Sequence, residues 1–375
     1  MRAPATSLRV LMSTDTVGGV WMYAIELADA LRGRGVQVVL ATMGARPSAA
    51  QRRQAAQVPD LVLCESEFRL EWMENPWRDV DRAGRWLLDL ERRYRPDLVH
   101  LNHYAHGHLA WRAPHLIVGH SCVRSWWRAV LGEDPPARGE AYRQWVRRGL
   151  RGAALVVAPS DAMLDALEDH YGPLARSAVI HNGRTPTHYH RGRKHPYILA
   201  VGRLWDAAKN LETLTRIAPR LHWPVHVAGE QRHPDGGEAA MPHVHLLGQL
   251  ASQELSEWYA GAAIYALPAR YEPFGLSVLE AALSGCTPVI GDIDSLRELW
   301  DGAACFVSPD DPEALQAALN GLSNDPHRRQ AVARRAAERA GRYTAARMAG
   351  AYLAVYDDLL SGRHLPEAPV RATSR

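Results

Sequence analysis

Short apolar runs alternate with helical patterns along nearly the whole chain, in two series separated by one aperiodic stretch. Leu8-Arg9-Val10-Leu11-Met12 reads as a strand. A loop with Gly18-Gly19 follows, then a helix with Val20, Ala24, Leu27, Ala28 and Leu31 at three- and four-residue spacing. Val36 to Ala41, Asp97 to Leu101, His115 to Gly119 and Leu155 to Ala158 continue as strands with helices between them. Asn182 to Pro196, rich in Gly, Pro, His and Arg, breaks the pattern. The second series runs through Tyr197 to Val201, Val225 to Ala228, Val244 to Leu247, Ile264 to Leu267 and Thr287 to Ile290. Continuous apolar strands need cover on both faces, and alternating helices supply it over a parallel sheet.

The expected fold is therefore α/β, two doubly wound domains facing a cleft. A chain of 375 residues suits two domains of about 180 each. The expected limits are 1–183 for the first domain, 184–196 for a linker and 197–343 for the second domain. A terminal helix over 344–361, with Met348, Tyr352, Val355 and Leu359 at helical spacing, is expected to cross back to the first domain, ahead of a disordered tail over 362–375. There is no internal repeat at solenoid periods. Ligands of such sheets bind beyond the C-terminal ends of the strands, so the chemistry is sought in the loops there.

Bulk properties exclude several partners. A net charge of +3 against 44 basic and 41 acidic residues gives no case for nucleic acid. Cys64, Cys122, Cys286 and Cys305 are scattered through mostly apolar runs and read as buried thiols in a reducing compartment. No apolar stretch approaches the ~18 residues of a membrane span and the N-terminus lacks a signal-peptide core, so a cytoplasmic location is expected. Only two of the basic residues are lysines, Lys194 and Lys209, which raises the question of why these two persist.

The run Arg270-Tyr271-Glu272-Pro273-Phe274-Gly275-Leu276-Ser277-Val278-Leu279-Glu280 carries the most chemistry. It takes an apolar strand through a glycine turn into a helix start, whose unpaired N–H groups suit phosphate. Carboxylates beside such a site suit neutral hydroxyls instead. Phosphate flanked by hydroxyl acceptors describes a nucleotide sugar. In the second domain the first strand runs into Gly202-Arg203-Leu204-Trp205-Asp206-Ala207-Ala208-Lys209-Asn210, placing two cations where a pyrophosphate could lie, although a solvated loop with an incidental basic pair would look the same. The dinucleotide fingerprint and the Walker A sequence are both missing. Gly33-Arg34-Gly35 closes a helix rather than following a strand. Gly18-Gly19 follows the first strand and either admits a ligand to the backbone or only turns the chain.

Gly202-Arg203 with Lys209-Asn210, then Ala228-Gly229, Leu247-Gly248 and the Glu272 to Glu280 run, resemble the C-terminal domain of family 4 retaining glycosyltransferases of the GT-B fold. Order and spacing agree across about 100 residues. Gly18-Gly19, Asn182-Gly183 and the final helix extend the likeness over most of the chain. The resemblance implies that Arg203 and Lys209 bind the donor diphosphate, that Glu280 takes the ribose hydroxyls, and that Glu272 holds the transferred sugar. It implies that the backbone of Phe274, Gly275 and Leu276 meets sugar and phosphate, and that Gly18 and Gly19 approach the diphosphate from the first domain. Gly248 and the residue after it, Gln249, would flank the base. His120, at the end of a first-domain strand, matches the family's histidine near the transferred sugar. His120, Arg203, Lys209 and Glu272 are thus the catalytic candidates, and Asp15, Asn102, His103 and Trp126 the acceptor-side ones.

The same resemblance implies a retaining transfer of a hexose from a UDP-, GDP- or ADP-sugar. The acceptor would attack from the leaving-group face and a diphosphate oxygen would take its proton. No carboxylate then acts as nucleophile, and no metal or cofactor is expected, since the basic side chains can replace a metal and the chain has no Asp-x-Asp run. The acceptor stays open among a glycan, a lipid-linked species and a small molecule. His103, His106 and His108 lack the supporting ligands of a zinc site and read as an acceptor-pocket loop. Trp126 and Trp127 suit either a sugar face or a core. The basic run Arg143 to Arg151, with Trp145 and Leu150, is a solvated helix face or a peripheral membrane contact. The rival functions are a nucleotide-sugar epimerase or phosphorylase on the same fold, and a sugar-nucleotide-binding protein without turnover.

Overall fold

The computed structural model describes residues 8–136, 139–232, 236–237 and 240–362. Its longest apolar runs lie side by side. β1 (Leu8–Asp15) and β2 (Val36–Met43) are parallel, with Leu8 opposite Val36 and Asp15 opposite Met43. β3 (Val62–Cys64), β4 (Leu98–Leu101), β5 (His115–Val118), β6 (Leu155–Ala158) and β7 (Ser177–Val179) complete a seven-stranded parallel sheet in the order β3-β2-β1-β4-β5-β6-β7. The second sheet is also parallel. It contains β8 (His195–Val201), β9 (Val225–Ala228), β10 (His245–Gly248), β11 (Ala262–Leu267), β12 (Thr287–Gly291) and β13 (Cys305–Val307), in the order β10-β9-β8-β11-β12-β13.

Both sheets reverse direction of growth once. The first does so between β1 and β4, the second between β8 and β11. At such a switch point the crossover helices go to opposite faces, and a crevice is left beyond the strand ends. The first sheet packs apolar side chains on both faces. One face holds Val10, Met12, Leu27 and Leu40, and the other Leu11, Val39, Leu87 and Ile117. Helix Ala345–Ser361 closes the first of these faces with Met348, Tyr352, Val355 and Tyr356. The second sheet is buried around Ile198, Leu214, Ile264, Leu279, Ile290 and Trp300.

Several expectations are adjusted. Within 184–196, where a linker is expected, β8 already begins at His195 and Arg184 is buried. Cys122 and Cys286 are buried, but Cys64 and Cys305 are only partly so, and all four are free thiols. The basic run 143–151 lies on helix Gly139–Gly152, which turns Tyr142, Val146 and Leu150 inward and stacks Trp145 on Trp77 at 5.6 Å. Its apolar side therefore faces the protein. Among the described residues no helix is long and apolar enough to cross a membrane. Gly362 ends the last helix with φ 62°, and the rest of the expected tail lies outside the described residues.

Candidate active site in the interdomain cleft

The loops at the two switch points carry the candidate residues and face one another. Asp15 ends β1, and Gly18 and Gly19 follow it. Asn102 and His103 follow β4, and His120 follows β5 by two residues. From the other side come Arg203 and Lys209 after β8 and Glu272 after β11. The walls touch: a Cβ on Gly18 would lie 3.1 Å from Arg203 Nη1, and one on Gly19 would lie 3.7 Å from Leu276 Cδ1.

Lys209 and Glu272 form an ion pair, with Nζ 2.6 Å from Oε2 and both side chains mostly buried. The other carboxylate oxygen, Oε1, accepts from the N–H of Gly275 at 2.9 Å and from that of Phe274 at 3.4 Å. Glu272 thus holds the turn that starts helix Leu276–Leu283, where Gly275 is the N-cap with φ 84°. The amides of Phe274 and Gly275, which the resemblance puts against sugar and phosphate, donate to this carboxylate here.

Arg203 donates to Asp206 Oδ2 at 2.6 Å, while Trp126 reaches across the cleft to donate to Asp206 Oδ1 at 2.9 Å. Burial works against the Asp206 charge, yet the cations of Arg203 and Lys209, with those two bonds, hold the carboxyl below its usual range. Asp206 was not among the expected site residues; an acid three positions after an arginine was the available signal. Trp126, expected beside the acceptor, thereby ties the first domain to the loop that carries Arg203 and Lys209.

On the first-domain wall the polar groups are interlocked. Asn102 Nδ2 donates to the Ser13 carbonyl at 2.7 Å, which turns its Oδ1 toward His120 Nε2 at 2.8 Å. His120 therefore carries its proton on Nε2, and Nδ1 is left as an acceptor. The Tyr23 ring packs edge-on against His120 at 4.4 Å, and burial keeps the imidazole well below its ordinary pKa, hence neutral. Ser13 Oγ accepts from the Asn102 N–H at 2.9 Å and lies 3.3 Å from His103 Nδ1. His103 Nε2 is then directed at Asp15 Oδ2, at 3.9 Å. His106 and His108 do not join this group. His106 Nε2 bonds the Val80 carbonyl and His108 Nδ1 the Ala105 carbonyl, so both serve packing rather than an acceptor pocket.

Burial raises Asp15 from 3.8 to about 7, against the bond from Val17 N–H and the charge of Arg203. The folded state therefore holds this proton more tightly than the unfolded chain does. Its stabilising effect is complete below the unfolded value and is lost as pH rises through about 7. Asp15→Asn keeps an acceptor for Val17 and has no charge to bury. Its stability relative to wild type should rise by roughly 2–3 kcal/mol between pH 5 and pH 8. Urea midpoints at the two pH values measure this, and an unchanged difference would show that Asp15 titrates normally.

Gly248 ends β10, the edge strand of the second sheet, and donates no wall to the pair at 209 and 272; its carbonyl instead accepts from Gly229 N–H at 2.8 Å. Gln249 beside it is exposed. Glu280, one turn into helix Leu276–Leu283, is buried and bonded to Arg184, a residue the sequence reading had placed in a linker.

Residues 17–188 match the family described as Glycosyltransferase Family 4, and residues 195–325 match Glycosyl transferases group 1. The chain is 28% identical to a glycogen synthase of Mycobacterium tuberculosis, with 86% of each chain covered. It is 27% identical to a D-inositol 3-phosphate glycosyltransferase of Kineococcus radiotolerans, covering 92% of this chain and 91% of that one. Among solved structures, sucrose-phosphate synthase from Thermosynechococcus elongatus superposes with a TM-score of 0.79 at 18% identity, over 95% of this chain and all of the other. Anabaena HepE in complex with UDP-glucose does so with a TM-score of 0.74 at 17% identity, over 94% of this chain and 100% of that one. These two likenesses concern the fold. Matched in both halves by glycosyltransferase descriptions and built as two facing parallel sheets, the chain belongs to glycosyltransferase family 4, has the GT-B fold, and is a glycosyltransferase.

Proposed function

We propose that this enzyme transfers a hexose with retention from a nucleoside-diphosphate sugar to a hydroxyl acceptor, without a metal. The observation that carries the reading is that Arg203 meets the Gly18-Gly19 loop where both sheets reverse, on the same wall as the Lys209–Glu272 pair. As the nucleoside diphosphate leaves, negative charge builds on the β-phosphate. Two cations held in place by Asp206 and Glu272 stabilise that charge more than they stabilise the ground state. Lys209 has three N–H donors, so it can keep Glu272 while binding a phosphate oxygen.

Neither carboxylate of the Glu272 to Glu280 run is placed as a nucleophile in this reading. Glu272 is engaged by Lys209 and two amides, and Glu280 by Arg184. The acceptor oxygen bonds the anomeric carbon on the face from which the diphosphate departs. The bond from that carbon to the β-phosphate oxygen breaks, and the acceptor's proton passes to the same departing oxygen. His120, neutral and with Nδ1 free of its own proton, suits a sugar hydroxyl.

UDP-glucose, the ligand in the HepE complex, is the first donor to test, beside GDP- and ADP-sugars. A ligand specific to the folded state raises the melting temperature. One nucleotide series is expected to do so equally in EDTA and in magnesium, and NMR of the product from an α-linked donor is expected to show an α linkage. No shift with any of the three series would overturn the donor reading. A shift confined to magnesium would overturn metal independence.

A further inference from the structure

Arg184 lies in the first crossing between the two sheets, after β7 and before β8, and at 2% exposure it is buried to a degree rare for arginine. Its backbone joins the two crossings of the chain. The N–H donates to the Tyr343 carbonyl at 3.1 Å, and the carbonyl accepts from Ala345 N–H at 3.0 Å. Gly183 permits this approach, because a Cβ there would lie 2.3 Å from the Thr344 carbonyl oxygen.

The side chain of Arg184 reaches both walls of the cleft. Nε and Nη2 donate to Glu280 Oε1 at 2.8 and 2.5 Å. Nη1 donates to the Met22 carbonyl at 3.2 Å and lies 3.4 Å from Glu26 Oε2. Glu26 is fixed in turn by the Thr185 N–H, which donates to its Oε1 at 2.8 Å. Glu26 belongs to helix Gly19–Arg32, whose start is the glycine loop, and Glu280 to helix Leu276–Leu283. One cation therefore sets two helices, and the two helix starts that flank the donor, relative to each other.

Both bonds to Glu280 end on Oε1 and neither on Oε2. Held by Arg184 through one oxygen, with the Tyr189 and Tyr259 hydroxyls also turned toward it, this carboxylate still has lone pairs for ligand donors. One cation between two carboxylates also leaves the cluster negative, which suits neutral hydroxyls and not phosphate.

We propose that Arg184 is a positioning residue for the donor, holding Glu280 in register for the ribose and locking it to helix Gly19–Arg32 through Glu26. The proposal rests on the reading of Glu280 as the ribose acceptor. A purely structural ion cluster would stabilise the fold without regard to the hydroxyls of the nucleotide.

Calorimetry with the tightest binder among UDP, GDP and ADP, and with its 2′,3′-dideoxy counterpart, tests this. Arg184→Met is expected to weaken the ribonucleotide about tenfold, the size of one charged hydrogen bond, while the dideoxynucleotide changes less than about twofold. Arg184→Lys, which can donate to Glu280 but not as a fork, is expected to restore part of the loss. Equal loss for both nucleotides, or none for either, would overturn the proposal. Should Arg184→Met not fold, Glu26→Gln loosens Arg184 without stripping Glu280 of its cation. A loss of about two- to threefold for the ribonucleotide alone then supports the proposal, and no selective loss overturns it. Glu280→Ala separates the two levels. If it leaves ribonucleotide affinity unchanged, the reading of Glu280 fails; if it weakens affinity while the Arg184 and Glu26 variants do not, only the role of Arg184 fails.

Discussion

Lys209→Ala should lower kcat by about 10²–10³-fold, the usual effect of removing one preorganised donor from a developing oxyanion. Lys209 is held by Glu272 at 2.6 Å, so its charge is already aimed and no reorganisation is needed as the diphosphate departs. The loss should therefore appear mainly in kcat and less in KM, because the charge that Lys209 meets grows in the transition state. The variant also leaves the Glu272 carboxylate with only the Phe274 and Gly275 amides. Lys209→Arg should recover part of the rate, while Lys209→Met, unbranched and one atom shorter but uncharged, should not. Steady-state kinetics of sugar transfer decide this, with circular dichroism to confirm folding. Turnover near the wild-type rate would remove Lys209 from the diphosphate site.

Gly18→Ala is expected to have the next largest effect. Gly18 has φ 82° and ψ −139°, close to a region that side chains essentially exclude, and its new Cβ would lie 3.1 Å from Arg203 Nη1. Backbone strain of about 1–3 kcal/mol can be relieved only by moving the loop or displacing the guanidinium. Either movement disturbs the diphosphate crevice, so kcat/KM should fall by about 5- to 100-fold. Thermal unfolding measured beside kinetics distinguishes the causes. A drop in melting temperature with unchanged kcat/KM would show that the loop does not serve the donor.

The fold was legible where the strands are long and wholly apolar. β1, β2 and β11 show unbroken burial over most of their length, which leaves a sequence little choice but a covered parallel sheet. β3, β7 and β13 have three residues each and sit at sheet edges, too short to show a period and half open to solvent.

In the site, residue types in the strand-to-helix turns were legible, but their partners were not. That Lys209 and Glu272 pair, 63 positions apart, follows from β8 and β11 being neighbours in the sheet. The burial of Arg184 could not be read from the sequence, for a physical reason. A charged residue in an aperiodic segment normally marks exposure, but here burial is made tolerable by acids 158 and 96 residues away. The inward turn of Trp145 was likewise invisible, because its stacking partner Trp77 lies in another helix.

The helix that closes the first sheet comes after the whole second sheet in the chain. Arg34, just after helix Gly19–Arg32, donates to the carbonyl of Ala346, 312 residues later, and Trp21, Tyr23 and Leu27 share a core with Tyr352 and Tyr356. Until residues 345–361 emerge, that apolar face is covered only in part, by helix Gly19–Arg32, although the entire second sheet has already been synthesised. The nascent first half therefore keeps part of its apolar face exposed while residues 184–361 are made. A fragment that stops at residue 183 should aggregate when expressed alone and should gain solubility when 345–361 is supplied as a separate peptide.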